Sequence, residues 1–318
     1  MSGPRPPAIS VVVPAYEARA VIDNSLASLL TQDLDEPYEV IVVDSGTDDC
    51  AAHVESHYPE VRLVRSADRL QVGAARNAGV DAAQGEYIAF LAADCVASPD
   101  WLRRRLAKHR EGYAAVGGSV VNGTPWHPVG TAGYYLEYTA VLPSTRILAE
   151  QGTPHVLSYA RTLFERLGPF PVSTGAGEDT IFNLRLAEAR VAVGFDAGVR
   201  IAHRNPTRVS DYLKHQYDHG RSFARCAELY ALSSPSHPVE QSLPRAAVRI
   251  FVGYPAGRWL RALSRVARGR PRSLLAFLAL APLVWLGAWA ASLGLFAELQ
   301  ALRRSRRLSE TSGAPQNL

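Results

Sequence analysis

The feature that most constrains this chain is a repeated alternation, in its first third, of short β-branched runs with helical segments. Ile9 to Val13 is a β-branched run closed by Pro14, which reads as a buried strand. Ala18 to Leu30 then places Val21, Ile22, Leu26, Leu29 and Leu30 at helical spacing. Val40 to Val43 predicts a second strand ending at Asp44, and Asp48 to Tyr58 a second helix. Val61 to Val64 predicts strand three, Val72 to Ala83 a helix, and Tyr87 to Leu91 strand four. This spacing suits βαβ units on a mostly parallel sheet buried on both faces and flanked by helices, an α/β class. Such sheets bind ligands beyond the carboxyl ends of their strands. The polar residues gather there: Tyr16 and Glu17, Asp44, then Asp94.

After Trp101 the pattern turns irregular. Tyr113 to Val121 reads as a strand, Tyr134 to Val141 as a short helix, Glu178 to Ala189 as an amphipathic helix, and Val199 to Ala202 as strand-like. Ser233 to Pro244, rich in Ser and Pro, is the expected linker. Residues 1–230 are therefore expected to form the main domain, and 231–318 a second region. That second region holds Ser273 to Ala297, about 25 residues without a charge, enough for roughly 37 Å of helix against ~30 Å of hydrocarbon. Arg265, Arg268, Arg270 and Arg272 precede it, and Arg303, Arg304, Arg306 and Arg307 follow it. A buried helix of a soluble domain would also read this way, but the length and basic flanks favour a membrane segment. Both a spanning helix and a re-entrant hairpin bent at Pro282 and Gly287 fit. Arg249, Arg258, Arg261 and Arg265 lie among Ile250, Phe251, Trp259 and Leu260, the pattern of an interfacial helix on anionic lipid. The expected location is the cell membrane.

Composition narrows the classes further. Net charge is only +4, and Lys108 and Lys214 are the sole lysines. The arginine bias is a matter of overall composition, and no nucleic-acid partner is expected. Cys50, Cys95 and Cys226 contain no CxxC pair, against a disulfide framework or zinc site and for a reducing compartment. Met1 to Pro7 has no apolar core, so no cleavable signal peptide is expected. No GxGxxG follows the first strand, Gly73 and Gly79 bracket a loop without a GK[ST] ending, and no GxSxG is present. Dinucleotide binding, a Walker P-loop and a nucleophile elbow are thereby disfavoured.

Five segments, in order, resemble glycosyltransferase family 2, the inverting enzymes of the GT-A fold. They are VVVPAYEA (Val11 to Ala18), VIVVDSGTDD (Val40 to Asp49), VGAARNAG (Val72 to Gly79), GEYIAFLAADC (Gly85 to Cys95) and GAGEDT (Gly175 to Thr180). The resemblance implies a nucleotide-sugar donor, with Tyr16 against its base, Glu17 on a ribose hydroxyl and Asp44 on the base N–H. Arg76 would meet the diphosphate, where a planar guanidinium bonds two oxygens at once. Uracil is the expected base. Asp94 stands where the family has its metal-binding DxD, with Ala92 in place of the first Asp. Together with His203 it would hold a divalent cation, Mn²⁺ or Mg²⁺. Asp179 would be the general base that deprotonates the acceptor hydroxyl, with Glu178 beside it. Taken singly, each residue also has an ordinary structural explanation: a solvated loop, a surface charge, a helix-start acid. The implied acceptor is a glycan or lipid-linked glycan at the membrane surface, with the catalytic domain in the cytoplasm, where nucleotide sugars are made. Two alternatives stay open. One is a nucleotide-sugar binding protein without activity, for which Ala92 speaks; the other is a sugar-1-phosphate nucleotidyltransferase, for which PAYEA lacks the Gly-rich, basic loop.

Overall fold

The structure, a computed structural model, describes residues 5–143, 157–229 and 243–312. Most of the linker expected from Ser233 lies outside these residues. The described residues form two compact units, one of residues 1–125 and 138–205, the other of 126–137 and 206–318.

The first unit follows the expected alternation. Ile9–Ala15 (β1), Ile22–Leu30 (α1), Tyr38–Asp44 (β2), Cys50–His57 (α2), Arg62–Arg65 (β3), Val72–Ala82 (α3) and Tyr87–Phe90 (β4) succeed one another. β1 pairs in parallel with β2, from Ile9 opposite Tyr38 to Ala15 opposite Asp44, and with β4 on its other side. The β-branched run is therefore sandwiched between strands and covered by helices, and Ile9, Val11, Val12 and Val13 are wholly buried. Beyond β4 come Cys95–Ala97 (β5), Trp101–Arg110 (α4), Ala115–Asn122 (β6), and, within the second unit, Pro128–Glu137 (α5). Ser158–Ala160 (β7), Thr162–Leu167 (α6), Glu178–Glu188 (α7) and Val193–His203 (β8) complete the first unit.

The eight strands form one sheet in the order β3-β2-β1-β4-β7-β6-β8-β5. The parallel half ends at β4, against which β7 runs antiparallel. β6 and β8 are parallel to each other, with a register irregularity between Gly117 and Ser119. The helix expected at Tyr134 to Val141 is displaced: α5 ends at Glu137, and Thr139–Val141 is a separate 3-10 turn. On one face of the sheet Val12, Ile41, Ile88 and Phe90 pack with Leu163, Phe170, Phe182 and Leu186. The rings of Phe170 and Phe182 lie 4.8 Å apart, and those of Tyr159 and Phe182 5.0 Å.

Two local details fix the frame around the site. α3 presses on β1 so closely that a Cβ on Gly79 would stand 2.2 Å from Val12 Cγ1, and only glycine permits that approach. α4 is tied to the sheet by a buried polar knot. Arg105 donates to Val116 O and Ser158 Oγ, both at 2.9 Å, with its guanidinium 4.2 Å from the Trp101 ring centroid. Burial draws the Arg105 guanidinium down to about 9 and the His109 imidazole down to about 4. A neutral His109 donates from Nδ1 to Tyr113 O and accepts the Ser158 hydroxyl at Nε2, both at 2.8 Å.

The second unit is helical. It joins α5 to Val209–Leu229 (α8), Leu243–Val248 (α9), Tyr254–Gly269 (α10), Leu274–Ala279 (α11) and Ala281–Ser312 (α12). The uncharged run from Ser273 is not one helix. It breaks at Leu280, because Pro282 has no N–H to carry the ladder back into α11. Residues 281–306 of α12 are long and apolar enough to cross a membrane, with 56% of the apolar window buried inside the structure.

Candidate active site

The carboxyl ends of β1, β2 and β4 come together in one region because their register is parallel and in step. Tyr16 and Glu17 follow β1 directly, and Asp44 closes β2 opposite Ala15. Glu17 sits at φ +50, a left-handed backbone that few non-glycine residues adopt. Its carboxylate accepts from the Thr47 amide at 2.9 Å and the Thr47 hydroxyl at 2.8 Å. The Thr47 amide and hydroxyl hold the Glu17 carboxyl below its ordinary range. Gly46 allows the two loops to meet, since a Cβ there would be 2.8 Å from the Glu17 backbone nitrogen. Tyr16 is 43% exposed, with the Arg69 guanidinium 4.3 Å from its ring centroid. Asp44 is buried and accepts from the Gly46 amide at 3.3 Å; burial pushes its carboxyl up.

Arg76 projects from α3 and is brought to the start of α7. Its guanidinium lies 3.0 Å from Glu178 and 3.7 Å from Asp179. Both acidic side chains are nearly inaccessible, at 3% and 5% exposure. Burial works against the Arg76 charge, but Glu178 and Asp179 outweigh it and hold the guanidinium above its ordinary value. Arg76 Nε is buried without a hydrogen-bond partner among the described residues. The loop that delivers the acid pair turns through Gly175 at φ +74 and Gly177 at φ +107, conformations that favour glycine. The GAG of the sequence is thus a required shape as well as a hinge-like composition. The structure therefore places Arg76 on the acid pair, with its diphosphate role resting on the resemblance.

Asp94 and His203 converge from neighbouring strands. Asp94 Oδ2 is 3.6 Å from His203 Nε2, because β5 pairs with β8 at Cys95 opposite His203. The imidazole is oriented by Asn205, whose amide nitrogen donates to the His203 carbonyl and to Asn122 Oδ1, both at 3.2 Å. Its amide oxygen therefore faces His203 Nδ1 at 3.0 Å and accepts a hydrogen bond from its N–H. In a neutral imidazole this leaves the Nε2 lone pair aimed at the carboxylate. Two acceptors in that arrangement call for a cation between them, either a proton or a metal ion. The donor set of one carboxylate, one imidazole and open positions fits a divalent ion that keeps water or phosphate ligands. Cys95 shares the cluster, but burial raises its thiol far above the ordinary value and keeps it protonated. Ala92 adds no ligand.

A cavity of about 210 Å³ is lined by Pro14, Val72, Arg76, Ala92, Tyr159 and His203 among others, while Tyr16, Glu17, Asp44, Asp94, Glu178 and Asp179 are not among its lining residues. One pocket therefore holds Arg76, which carries the acid pair, and His203, which faces Asp94. Sequence reasoning did not find Arg69, Thr47 or Asn205. Only Asn205 left a signal, two residues beyond His203 in HRNP.

The comparisons with known proteins bear on the family and the fold. Residues 10–159 match the family model described as glycosyl transferase family 2. Glycosyltransferase AglE of Haloferax volcanii is 29% identical over 224 residues, 68% of this chain and 72% of that protein. The O-antigen chain rhamnosyltransferase WbaN of Salmonella anatum is 24% identical over 215 residues, 64% of this chain and 68% of that protein. Other relatives are matched over a shorter stretch; for one of them the chain spans 30% of the relative's length. Among solved structures, mannosyltransferase PcManGT from Pyrobaculum calidifontis, in complex with GDP-Man and Mn²⁺, superimposes with a TM-score of 0.60. It is 22% identical, with 95% of this chain and 88% of that chain covered, a likeness of fold. Fold, motif order and family match agree: residues 10–159 carry the match to glycosyl transferase family 2, and the chain has the GT-A fold.

Proposed function

We propose that the chain is an inverting glycosyltransferase that moves a sugar from a nucleotide-diphosphate donor to the hydroxyl of a membrane-linked or envelope glycan. The observation that supports this reading best is the single pocket shared by Arg76, which carries the acid pair of α7, and His203, which faces Asp94. The donor base would lie on Tyr16, whose ring already carries Arg69 on its face. Glu17 would hold the ribose and Asp44 the base N–H. Arg76 Nε, buried and unmatched, would donate to the diphosphate while the rest of the guanidinium holds Glu178.

Asp94 and His203 would hold a divalent ion. Such an ion, Mn²⁺ or Mg²⁺, supplies positive charge that neutralises the departing diphosphate. Asp179 accepts the proton of the acceptor hydroxyl as its oxygen bonds to the anomeric carbon. The bond from that carbon to the diphosphate oxygen breaks, and its electron pair leaves with the nucleotide. Attack opposite the leaving group inverts the anomeric configuration. The acceptor class is supported by the likeness to WbaN, an O-antigen chain rhamnosyltransferase by its name, and by the apolar C-terminal helix. The catalytic unit would then face the cytoplasm, where nucleotide sugars are found.

Asp94→Ala is expected to abolish metal-dependent donor binding, and Ala92→Asp to preserve or strengthen it by adding a carboxylate. The test is a transfer assay with Mn²⁺ titration for both variants, alongside wild type in EDTA. Full transfer in EDTA, or full transfer by Asp94→Ala, would overturn the metal assignment.

A further inference from the structure

From residue 241 to residue 297 the chain carries eight arginines and no Asp or Glu. Long acid-free, arginine-rich stretches are uncommon on soluble surfaces, where both signs are normally interspersed. The helices of this stretch also expose large apolar side chains. Val248 is 64% exposed, Val252 62% and Leu275 80%. On α12, Leu286, Trp289 and Leu293 are exposed at i, i+3 and i+7, one stripe of the helix. The opposite stripe, with Ala288, Ala291, Ser292 and Leu295, is buried.

Aromatic contacts tie together the helices that carry these exposed residues. Phe251 stacks on Trp289 at 5.8 Å, which sets Val252 beside the α12 stripe. Trp259 stacks on Trp285 at 6.0 Å and meets Phe277 at 5.9 Å, which brings in Leu260 and α11. Arg245, Arg261, Arg268, Arg270 and Arg272 are exposed along the same helices.

The partner of α12 decides how this surface can meet a bilayer. α8 and α12 run side by side in the same direction. A Cβ on Gly220 would lie 1.9 Å from Ala291 O, and one on Gly294 would lie 1.9 Å from Tyr217 O. Further along, Glu298 is paired with Arg221 and Arg225, each at 2.7 Å. Lys214 and Asp218, 2.9 Å apart and largely exposed, therefore stand on α8 level with the middle of the apolar window of α12. A spanning α12 would carry these charges into hydrocarbon, where each costs about 2.5–3.5 kcal/mol or more at the centre of a bilayer.

We infer that the helical unit docks in the plane of an anionic bilayer, with the Val248, Val252, Leu275 and Trp289 surface embedded and α12 lying along the interface without crossing it. This rests on reading the C-terminal region as a membrane-attachment region. The chemistry matches an interfacial helix system: apolar side chains enter the headgroup boundary, and flanking arginines meet lipid phosphate.

The test uses the full chain and two readouts. In flotation with sealed vesicles, it binds phosphatidylglycerol-containing vesicles and scarcely binds pure phosphatidylcholine. Arg261→Glu combined with Arg272→Glu weakens that binding at least about tenfold, as does Leu275→Asp, a change at a site too exposed to disturb folding. For orientation, Ser273→Cys and Ser305→Cys bracket the apolar window. Each is treated with a membrane-impermeant maleimide on inside-out vesicles from expressing cells, with the unmodified chain as background. Equal labelling of both without detergent supports in-plane docking. Labelling of one alone, the other reacting only after detergent, overturns it and leaves membrane attachment standing. Failure to bind either vesicle type, with the chain absent from the membrane fraction, overturns both.

Discussion

Asp179→Asn is expected to lower kcat at least about a hundredfold while donor affinity barely moves. An alcohol is a poor nucleophile until its proton is being removed, and a positioned carboxylate contributes roughly 10²–10⁴-fold to such a step. Asp179 is in the first turn of α7, and its Oδ1 accepts from the Thr180 amide at 2.7 Å. The asparagine preserves shape and removes the proton acceptor. An interaction used only in the transition state lowers kcat and kcat/KM together. Glu178→Gln should cost less, because Glu178 is the closer partner of Arg76 and serves to hold the helix start. Steady-state transfer kinetics beside donor binding for both variants give the answer. Turnover of Asp179→Asn within a few-fold of wild type would place the base elsewhere.

Arg76→Met should be among the most destabilising single changes in the first unit, by about 3–5 kcal/mol, and should also abolish transfer. The side chain is 19% exposed, and those of Glu178 and Asp179 are 3% and 5% exposed. Removing the cation takes away a positive charge 3.0 Å from Glu178 and 3.7 Å from Asp179, both buried, which costs far more than losing an exposed pair would. Methionine keeps the packing against Phe90 and Phe170, whose ring centroids lie 5.2 and 5.5 Å from the guanidinium, so the loss reports charge more than volume. Denaturant unfolding measures it. The double variant Arg76→Met with Glu178→Gln should recover part of the lost stability, since it removes one of the two buried negative charges. A single variant as stable as wild type would show that the acid pair is held by other groups.

The parallel half of the sheet was legible because its strands are buried on both faces. Val11 to Val13, Val40 to Val43 and Ile88 to Phe90 leave unbroken apolar runs that no amphipathic element produces. The antiparallel half was not. β5 and β7 have three residues each, too few for a period of two to show. Ser158, in the middle of the sheet, is a polar residue satisfied by Arg105 and His109, a pairing visible only in three dimensions. β8 was seen only over its last third, because Asp196 and Gly198 interrupt the pattern where the register shifts. α5 contains Pro128, Gly130 and Gly133, which read as breakers, although proline is tolerated at a helix start.

The site divides in the same way. Motif order marked Asp94, Glu178 and Asp179; distance in sequence hid the partnership of Arg76 with Glu178, while that of Asp94 with His203 came only from the resemblance. The pairing of β5 with β8 brings the second pair together, and β5 was one of the strands too short to read. The break in the uncharged C-terminal run was foreshadowed by Pro282. The packing of α12 on α8 was not, because Gly220, Gly287 and Gly294 leave no apolar signature of their own.

The most direct test of the whole account is thermal unfolding of the purified full chain against a panel of GDP- and UDP-sugars, each with Mn²⁺ and with EDTA. A ligand that binds the folded state at 100 times its Kd stabilises it by about 2.7 kcal/mol, an easily resolved rise in Tm. The account predicts that at least one donor gives this rise with Mn²⁺, and that EDTA or Asp94→Ala removes it while Asp179→Asn leaves it intact. No shift with any donor in Mn²⁺, or an equal shift in EDTA, would contradict a metal-held nucleotide-sugar site.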